Sequence, residues 1–311
     1  SEMCIRDRLK RSGNGQIAID DGRMTYCSPD DPDWVLHANT LEIDPESGDA
    51  QAWGAKLKVA DVPVLYLPWI RFPVDSRRKT GLLFPDIGSD TRGGIDITAP
   101  IYLNLAPNYD LLYRPRYIQE RGFLHQGKFR WLSENMGYWE LDGGWIGDDS
   151  KYEEEFPLDD GSRWLVGAKH NGHFGDNWYT RINYTRVSDT EYLRDLNNSN
   201  LSAQRETALQ QLARLAWIND QWQVTLDFEQ FQSIAEDIPE DYRKLPQMTA
   251  RWVGNREWLG LTPLFLSQLS YFDSDVDRVT GQRVYSEFGL TKPMNWTAGF
   301  FTPTVKYRAV N

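Results

Sequence analysis

An all-β fold is what this sequence predicts, in two parts: the end of a sandwich-like or jelly-roll domain, then a long antiparallel meander. Three observations carry that expectation. From Thr80 onward, apolar and aromatic side chains recur at every second position in one segment after another, the period of a strand with two unlike faces. Before Thr80, shorter alternating runs are separated by clusters of turn residues. No run of about 18 apolar residues exists, which excludes a transmembrane helix but leaves a transmembrane β-barrel open, because barrel strands alternate and average out as polar.

Residues 1–8 (SEMCIRDR) fit nothing after them and resemble an adapter-derived tail, so they and Cys4 are set aside as non-native. No signal peptide opens the chain, and Ala309-Val310-Asn311 falls inside a strand-like run. A fragment of a longer protein is therefore expected. Gln16–Cys27 reads as a strand, a turn at Asp20-Asp21-Gly22 and a second strand, followed by a Pro/Asp loop over Ser28–Asp33. In Trp34–Ile43, Trp34, Leu36, Ala38 and Leu41 stand against polar neighbours. Pro45–Gly48 is a turn, Ala50–Val59 alternates again, and Val62–Leu67 is a short apolar strand. Short strands and short turns suit a sandwich or jelly roll, here residues 9–75, with its earlier strands missing.

The chain is organised around Val62–Asp110. Its first part is apolar and carries Pro63, Pro68 and Pro73; the basic knot Arg77-Arg78-Lys79 follows. Two strand-like runs come next, Thr80–Gly88 and Gly94–Leu103, and each holds a proline, Pro85 and Pro100. Proline cannot donate to a sheet ladder and is confined to edges, bulges and strand starts. Two neighbouring strands that each carry one suggest a weakened seam.

Residues 76–311 are expected to form the first strands of a large antiparallel barrel. Tyr109, Leu111, Tyr113 and Tyr117 alternate with Asp110, Arg114 and Arg116; Phe123, Phe129 and Trp131 with Gln126, Lys128 and Arg130; Trp164, Val166 and Ala168 with Arg163 and Lys169. Trp222, Val224, Leu226 and Phe228 alternate with Gln223, Thr225, Asp227 and Glu229, and Met248, Ala250 and Trp252 enclose Thr249 and Arg251. Leu261–Phe272 and Met294–Tyr307 continue more weakly. Each run approaches the roughly 9–11 residues of a tilted membrane strand. The alternation predicts that Tyr113, Phe129, Trp131, Trp164, Val166, Trp222, Leu226 and Phe228 share one face, toward lipid. Arg114, Arg116, Lys128, Arg130, Asp227 and Glu229 should share the other. Connections alternate between tight turns (Glu134-Asn135, Asn219-Asp220-Gln221) and long polar loops (Gly147–Gly161, Ser188–Thr207, Ser233–Lys244), the outer-membrane pattern. Leu201–Trp217 has strong helix formers at helical spacing; its second half is nonetheless expected to be a strand, because the meander needs one there.

A net charge of −11, with basic residues interspersed among acids, argues against nucleic-acid binding. Trp 13, Tyr 15 and Phe 13 make the chain rich in aromatics, as barrel girdles and carbohydrate-binding β proteins both are. Of the four histidines, His37, His125, His170 and His173, the last two are close enough for a metal, but in a strand their rings would face opposite sides; a surface or lumen pair is favoured. The acidic clusters Asp148-Asp149, Glu153-Glu154-Glu155 and Asp159-Asp160 lack the pattern of a calcium loop and read as a solvated loop. No nucleophile elbow, phosphate loop, dinucleotide motif or zinc-protease helix is present, so neither catalysis nor a cofactor is expected. Arg77, Arg78 and Lys79 either meet lipid phosphates or form a basic hinge, the two readings standing level. Cys27 is either a buried thiol or, in a cell envelope, half of a disulfide to a cysteine beyond this stretch.

The order Cys27, Pro32, Trp34, then VPVLYLPWIRFPVDSRRKTGLLFP, APIYLNLAPNYD, Arg121-Gly122 and FRWL, with V-S-D-x-x-Y at Val187–Tyr192, resembles the LptD family of outer-membrane lipopolysaccharide-assembly proteins, also called organic-solvent-tolerance proteins. The resemblance spans roughly residues 13–307 and is specific from Cys27 to Arg130. It implies an outer-membrane protein with an N-terminal periplasmic jelly roll that receives lipopolysaccharide from a bridge protein, LptA. It also implies a large barrel enclosing a lipoprotein plug, LptE. In that family acyl chains leave through a seam between the first and last strands. Pro85 and Pro100 fall where the family places the prolines of this lateral gate, and Cys27 on a jelly-roll cysteine that pairs with one near the C-terminus. Of the family's aromatic pair near Ile101-Tyr102-Leu103, only Tyr102 is present. Two rivals remain: another large outer-membrane channel or receptor barrel, and a secreted glycan-binding or glycan-cleaving β protein, which would gather its aromatics at one site beside paired carboxylates.

Overall fold

The computed structural model describes residues 4–6, 9–11, 15–25, 34–59, 62–74, 78–83, 85–90, 93–196, 207–235, 242–255, 260–274 and 277–311. The molecule is all-β. In chain order its strands are β1 (Cys4–Arg6), β2 (Leu9–Arg11), β3 (Ile17–Thr25), β4 (Trp34–Asp44), β5 (Asp49–Val59), β6 (Val62–Pro73), β7 (Gly81–Leu82), β8 (Asp86–Asp90), β9 (Gly94–Thr98), β10 (Ile101–Ala106), β11 (Tyr109–Ile118), β12 (Gly122–Ser133), β13 (Gly137–Ile146), β14 (Arg163–Phe174), β15 (Trp178–Val187), β16 (Ala208–Ile218), β17 (Trp222–Ser233), β18 (Arg243–Val253), β19 (Thr262–Asp273), β20 (Gly281–Thr291), β21 (Met294–Trp296), β22 (Gly299–Phe301) and β23 (Thr304–Val310); two short helices, α1 (Ser150–Glu155) and α2 (Tyr192–Leu196), sit in long connections. The chain divides into two compact units, Ser1–Pro85 with Ala99–Leu105, and Asp86–Thr98 with Ala106–Asn311.

In the first unit an antiparallel sheet runs β1-β3-β4-β5-β6, with β2 also on β3. Alternation buries Ile19 and Met24 of β3, Leu36, Ala38, Leu41 and Ile43 of β4, and Ala50, Ala52 and Ala55 of β5 in one apolar cluster with Phe72. The turn expected at Asp20-Asp21-Gly22 is instead unbroken strand within β3, with no shift of register against β4. Asp20 pairs with Thr40 and Gly22 with Ala38, while Asp21 takes φ 57. A single Asp tolerates that left-handed geometry, so the strand continues past it. The strand expected over Val62–Leu67 runs on to Pro73. Its prolines are accommodated because β6 ends the sheet order, where part of the backbone faces away from the ladder.

In the second unit β9 pairs with β8 and β11; from β11 to β20 each strand lies antiparallel to the next, and β23 closes the order on β20. The second half of Leu201–Trp217 is the strand the meander called for, β16, where strands on both sides supply its ladder partners and override its helix propensity; residues 201–206 lie outside the described residues. Alternation did not single out β13, β15 or β20. β13 contains Gly143-Gly144, β15 carries tyrosines on both faces, and β20 is mostly polar. The single run expected over Met294–Tyr307 is a small hairpin, β21–β22, followed by β23. Connections 134–136, 175–177 and 219–221 are short at one end of the meander. At the other end lie 147–162, 188–207 and 234–242.

Candidate functional site

The two proline-bearing runs each break at their proline. Pro85 separates β7 from β8, and Pro100 separates β9 from β10. On the first-unit side, Leu82 pairs with Ile101 and Gly81 with Tyr102, and the Leu83 amide donates to the Pro100 carbonyl at 2.8 Å. On the second-unit side the ladder resumes with Asp86 opposite Thr98. The two prolines thus stand at nearly the same level of one hairpin, and neither has an N–H to give. The boundary between the units falls at the same two points, after Pro85 and before Ala99. Within the first unit an apolar pocket opens beside the break, lined by Leu36, Leu57, Leu67, Ile70, Phe72, Leu82, Leu83 and Pro85.

The basic knot is committed to local contacts where it is described. Lys79 Nζ lies 2.9 Å from Asp49 and also donates to the Ser47 carbonyl. Arg71 Nε donates to the same carboxylate at 3.1 Å. Burial raises the Asp49 carboxyl, but hydrogen bonds and charge from Lys79 and Arg71 outweigh it and hold the group below its ordinary range. Arg78 is exposed and donates from Nε to the Tyr102 hydroxyl at 2.8 Å. Arg77 and Cys27 lie outside the described residues.

In the second unit the register puts the two predicted residue sets on opposite faces. Tyr117 faces Phe123, Leu111 faces Phe129 and Tyr109 faces Trp131 on one side of β11–β12. The same side carries Trp139 and Leu141 of β13, Trp164 and Val166 of β14, Trp222 and Leu226 of β17 opposite Trp252 and Met248 of β18, and Phe228 of β17 opposite Ala213 of β16. Much of it is exposed: Phe123 is 62% accessible, Trp145 52% and Val166 49%. The other side is laced with cross-strand ion pairs. Arg130 meets Asp110 at 2.8 Å, Lys128 meets Glu140 at 2.8 Å, Arg214 meets Asp227 at 2.6 Å and Lys244 meets Glu229 at 3.1 Å. The aromatics are spread along the strands of this unit, not gathered at one site. His170 and His173 do not form a pair: His170 stacks on Trp139 at 4.0 Å and bonds the Tyr138 carbonyl and the Thr180 hydroxyl. Among the described residues no cluster of three metal-ligating side chains occurs.

One arrangement escaped the sequence reading. At the long-loop end, the ion-paired face carries an apolar patch of Ile118, Leu124, Ile146, Leu165 and Val187, and α2 packs on it through Tyr192, Leu193 and Leu196. Beside it Arg163, 1% exposed, donates to Asp149 at 2.7 Å, Asp195 at 3.2 Å and both oxygens of Asp189 at 2.7 and 3.0 Å. Arg121 adds bonds to Asp149 at 3.0 and 3.1 Å. Asp149, expected in a solvated acidic loop, is fully buried and caps α1 by accepting from the Tyr152 amide. Its cations come from the β11–β12 turn and the start of β14, so nothing local reveals its burial. The guanidinium of Arg163 lies 4.2 Å from the Tyr152 ring centre. Burial, with the Asp189 and Asp159 carboxylates nearby, pushes the Tyr152 hydroxyl up to about 12. A signal was available: Arg121-Gly122 and V-S-D-x-x-Y, both quoted for the resemblance, supply Arg121, Asp189 and Tyr192 to this cluster.

Comparison with known proteins gives concordant matches. A family model described as "LptD: LPS transport system D" matches residues 161–311. "LPS-assembly protein LptD" of Hahella chejuensis is 34% identical over 312 residues, covering 96% of this chain and 39% of that protein. The proteins of the same name from Acinetobacter baylyi and Vibrio vulnificus are 32% and 33% identical, over 98% and 97% of this chain and 38% of each relative. The chain thus spans about two-fifths of the length of these curated relatives.

Proposed function

The chain belongs to the LptD family, and from that premise we propose that it is the part of an outer-membrane transport protein in which lipopolysaccharide passes from a periplasmic domain into a barrel. The first unit is the end of a periplasmic jelly roll, and its apolar pocket beside Pro85 takes acyl chains. The second unit, together with the proline-bearing runs that lead into it from the first, is the opening part of the barrel wall: its aromatic face meets bilayer lipid and its ion-paired face lines a polar lumen along which the sugars move. Pro85 and Pro100 keep the first two wall strands short of backbone donors, so the seam they border parts for an acyl chain without unfolding the wall. A lateral seam needs such a device because an open sheet edge is otherwise intolerable in hydrocarbon. The protein performs no chemistry; it lowers the barrier to moving an amphipathic lipid. Partners consistent with the family are the lipoprotein plug LptE in the lumen and the bridge protein LptA at the jelly roll.

The observation that carries this reading is the separation of faces in the second unit. Exposed aromatics on one side and cross-strand ion pairs on the other suit a wall with lipid on one side and water on the other. The test is photo-crosslinking in cells that make the full-length protein. A photoreactive residue at Leu67 or Leu83 should capture lipopolysaccharide, and one at Val166 should capture bilayer phospholipid. Failure of both pocket positions to capture lipopolysaccharide while Val166 labels normally would overturn the transport reading of the first unit.

A further inference from the structure

The short segment that leads into the proline hairpin is held on two sides. On one side it is stitched to β10. The Asn104 side chain donates to the Arg78 carbonyl at 2.8 Å, and the Asn104 amide donates to the Thr80 hydroxyl at 2.9 Å. Arg78 reaches Tyr102, and Leu83 donates to Pro100. Residues 78–83 and 100–104 therefore behave as one two-stranded piece. On the other side that piece meets the body of the first unit through two kinds of contact. The apolar kind, Leu82, Leu83 and Pro85 lining one pocket with Leu36, Leu67 and Ile70, is non-directional and does not fix a register. The polar kind is Lys79, whose ammonium reaches the β4–β5 turn at the Ser47 carbonyl and the Asp49 carboxylate.

Asp49 does not need Lys79 for neutrality. Arg71, on the neighbouring strand β6, already pairs with it. The lysine comes from 30 positions further on, and its side chain is only 22% exposed. An exposed lysine gains more rotamer freedom by remaining in water, so its capture at the turn fixes the segment that carries it.

We propose that Asp49 is a positioning residue: with Lys79 it forms a clamp that sets where the proline hairpin leaves the first unit. This rests on the reading of the hairpin as the seam, since a seam that parts in one place needs its root held. The clamp also absorbs a basic side chain that the sequence offered as a phosphate contact. Lys79 is a structural cation here, while Arg78 beside it is exposed and bonded to Tyr102.

The test is residue-resolved hydrogen exchange on the full-length protein carrying Asp49→Asn, Lys79→Met, both, or Asp49→Glu. The reporters are the Leu83 and Asn104 amides, which are bonded within the hairpin root; Leu41 and Ile19, in the core of the same sheet, are the controls. Losing a charge-assisted hydrogen bond should raise exchange at both reporters by about tenfold. The controls should move by less than about threefold, well inside that signal. The double variant should match the single ones, and Asp49→Glu should restore most of the protection. Unchanged reporters in both single variants, a rise shared equally by the controls, or a double variant equal to the product of the singles would overturn the clamp. Lipopolysaccharide delivery is measured on the same variants. Loosened reporters with unaltered delivery would support the clamp and count against the hairpin as a seam, so the two ideas fail separately.

Discussion

Arg163 donates to three carboxylates drawn from two different connections, whereas Pro85 and Pro100, on facing strands, bring no backbone donor at all. These two regions solve opposite problems. At the long-loop end a buried charge is tolerable only when its partners surround it, because a lone ion in low dielectric is costly. Asp149, Asp189 and Asp195 supply that surround, and in doing so they tie connection 147–162 to connection 188–196 over the apolar patch beneath α2. At the hairpin the ladder is thinned at one level on both strands, and the chain divides into its two units at the same level. The contrast teaches that rigidity is distributed unevenly: the loops are over-determined by side chains, and the hairpin is under-determined by backbone.

The largest expected effect comes from breaking the firm region. Arg163→Met strips the buried Asp149 and Asp195 and the part-buried Asp189 of a shared cation and should cost about 3–5 kcal/mol of local stability. Hydrogen exchange at Ser188 and Asp195, whose amides are bonded in this end, should report that loss while Leu83 stays unchanged. Equal exposure at both places would mean that the two regions are one cooperative unit, and the contrast would fail. A second substitution tests the wall between them. Val166, 49% exposed on the aromatic face, should resist charge if that face meets lipid. Val166→Arg should cost about 2–4 kcal/mol near the bilayer midplane, read as reduced folding into liposomes; the same change at Thr249, on the ion-paired face, should be mild. The smallest effect is a pH dependence at the hairpin root. Asp49 is held below its ordinary value, so its contribution is present in full above the unfolded-state value of about 4 and is lost as pH falls through the lower folded value. Asp49→Asn should abolish that acid-side loss of Leu83 protection, and a variant with the same acid profile as the parent would contradict it.

Much of this architecture was legible because a strand's period is two. Tyr113, Phe129, Trp164 and Phe228 declare one face, and Lys128, Arg130 and Asp227 the other; the register honours each of these assignments. Local order failed where the answer depends on distant residues. Asp149 reads as a solvated acid beside Asp148, yet its two cations lie 28 positions before and 14 positions after it. Asp20-Asp21-Gly22 reads as a turn because these residue types favour turns, and only the partner strand β4 keeps the chain extended through them. Lys79 reads as a free cation because Asp49 belongs to another turn. For Pro85 and Pro100 the composition pointed to a weakened pair of strands, but it did not reveal that both runs are cut at the same level.

The central claim is that this shared break is what lets the seam part. The measurement is the rate at which lipopolysaccharide reaches the cell surface when the full-length protein carries Pro85→Ala and Pro100→Ala together, with the two single variants alongside. Each substitution restores one backbone donor, worth about 0.5–1.5 kcal/mol net and more where water cannot compete. The account predicts slower delivery in the double variant than in either single one, accompanied by sensitivity to large hydrophobic antibiotics and by increased protection at Leu83. Unaltered delivery in a double variant that has gained that protection would contradict it, and the prolines would then be strand breaks without a part in export.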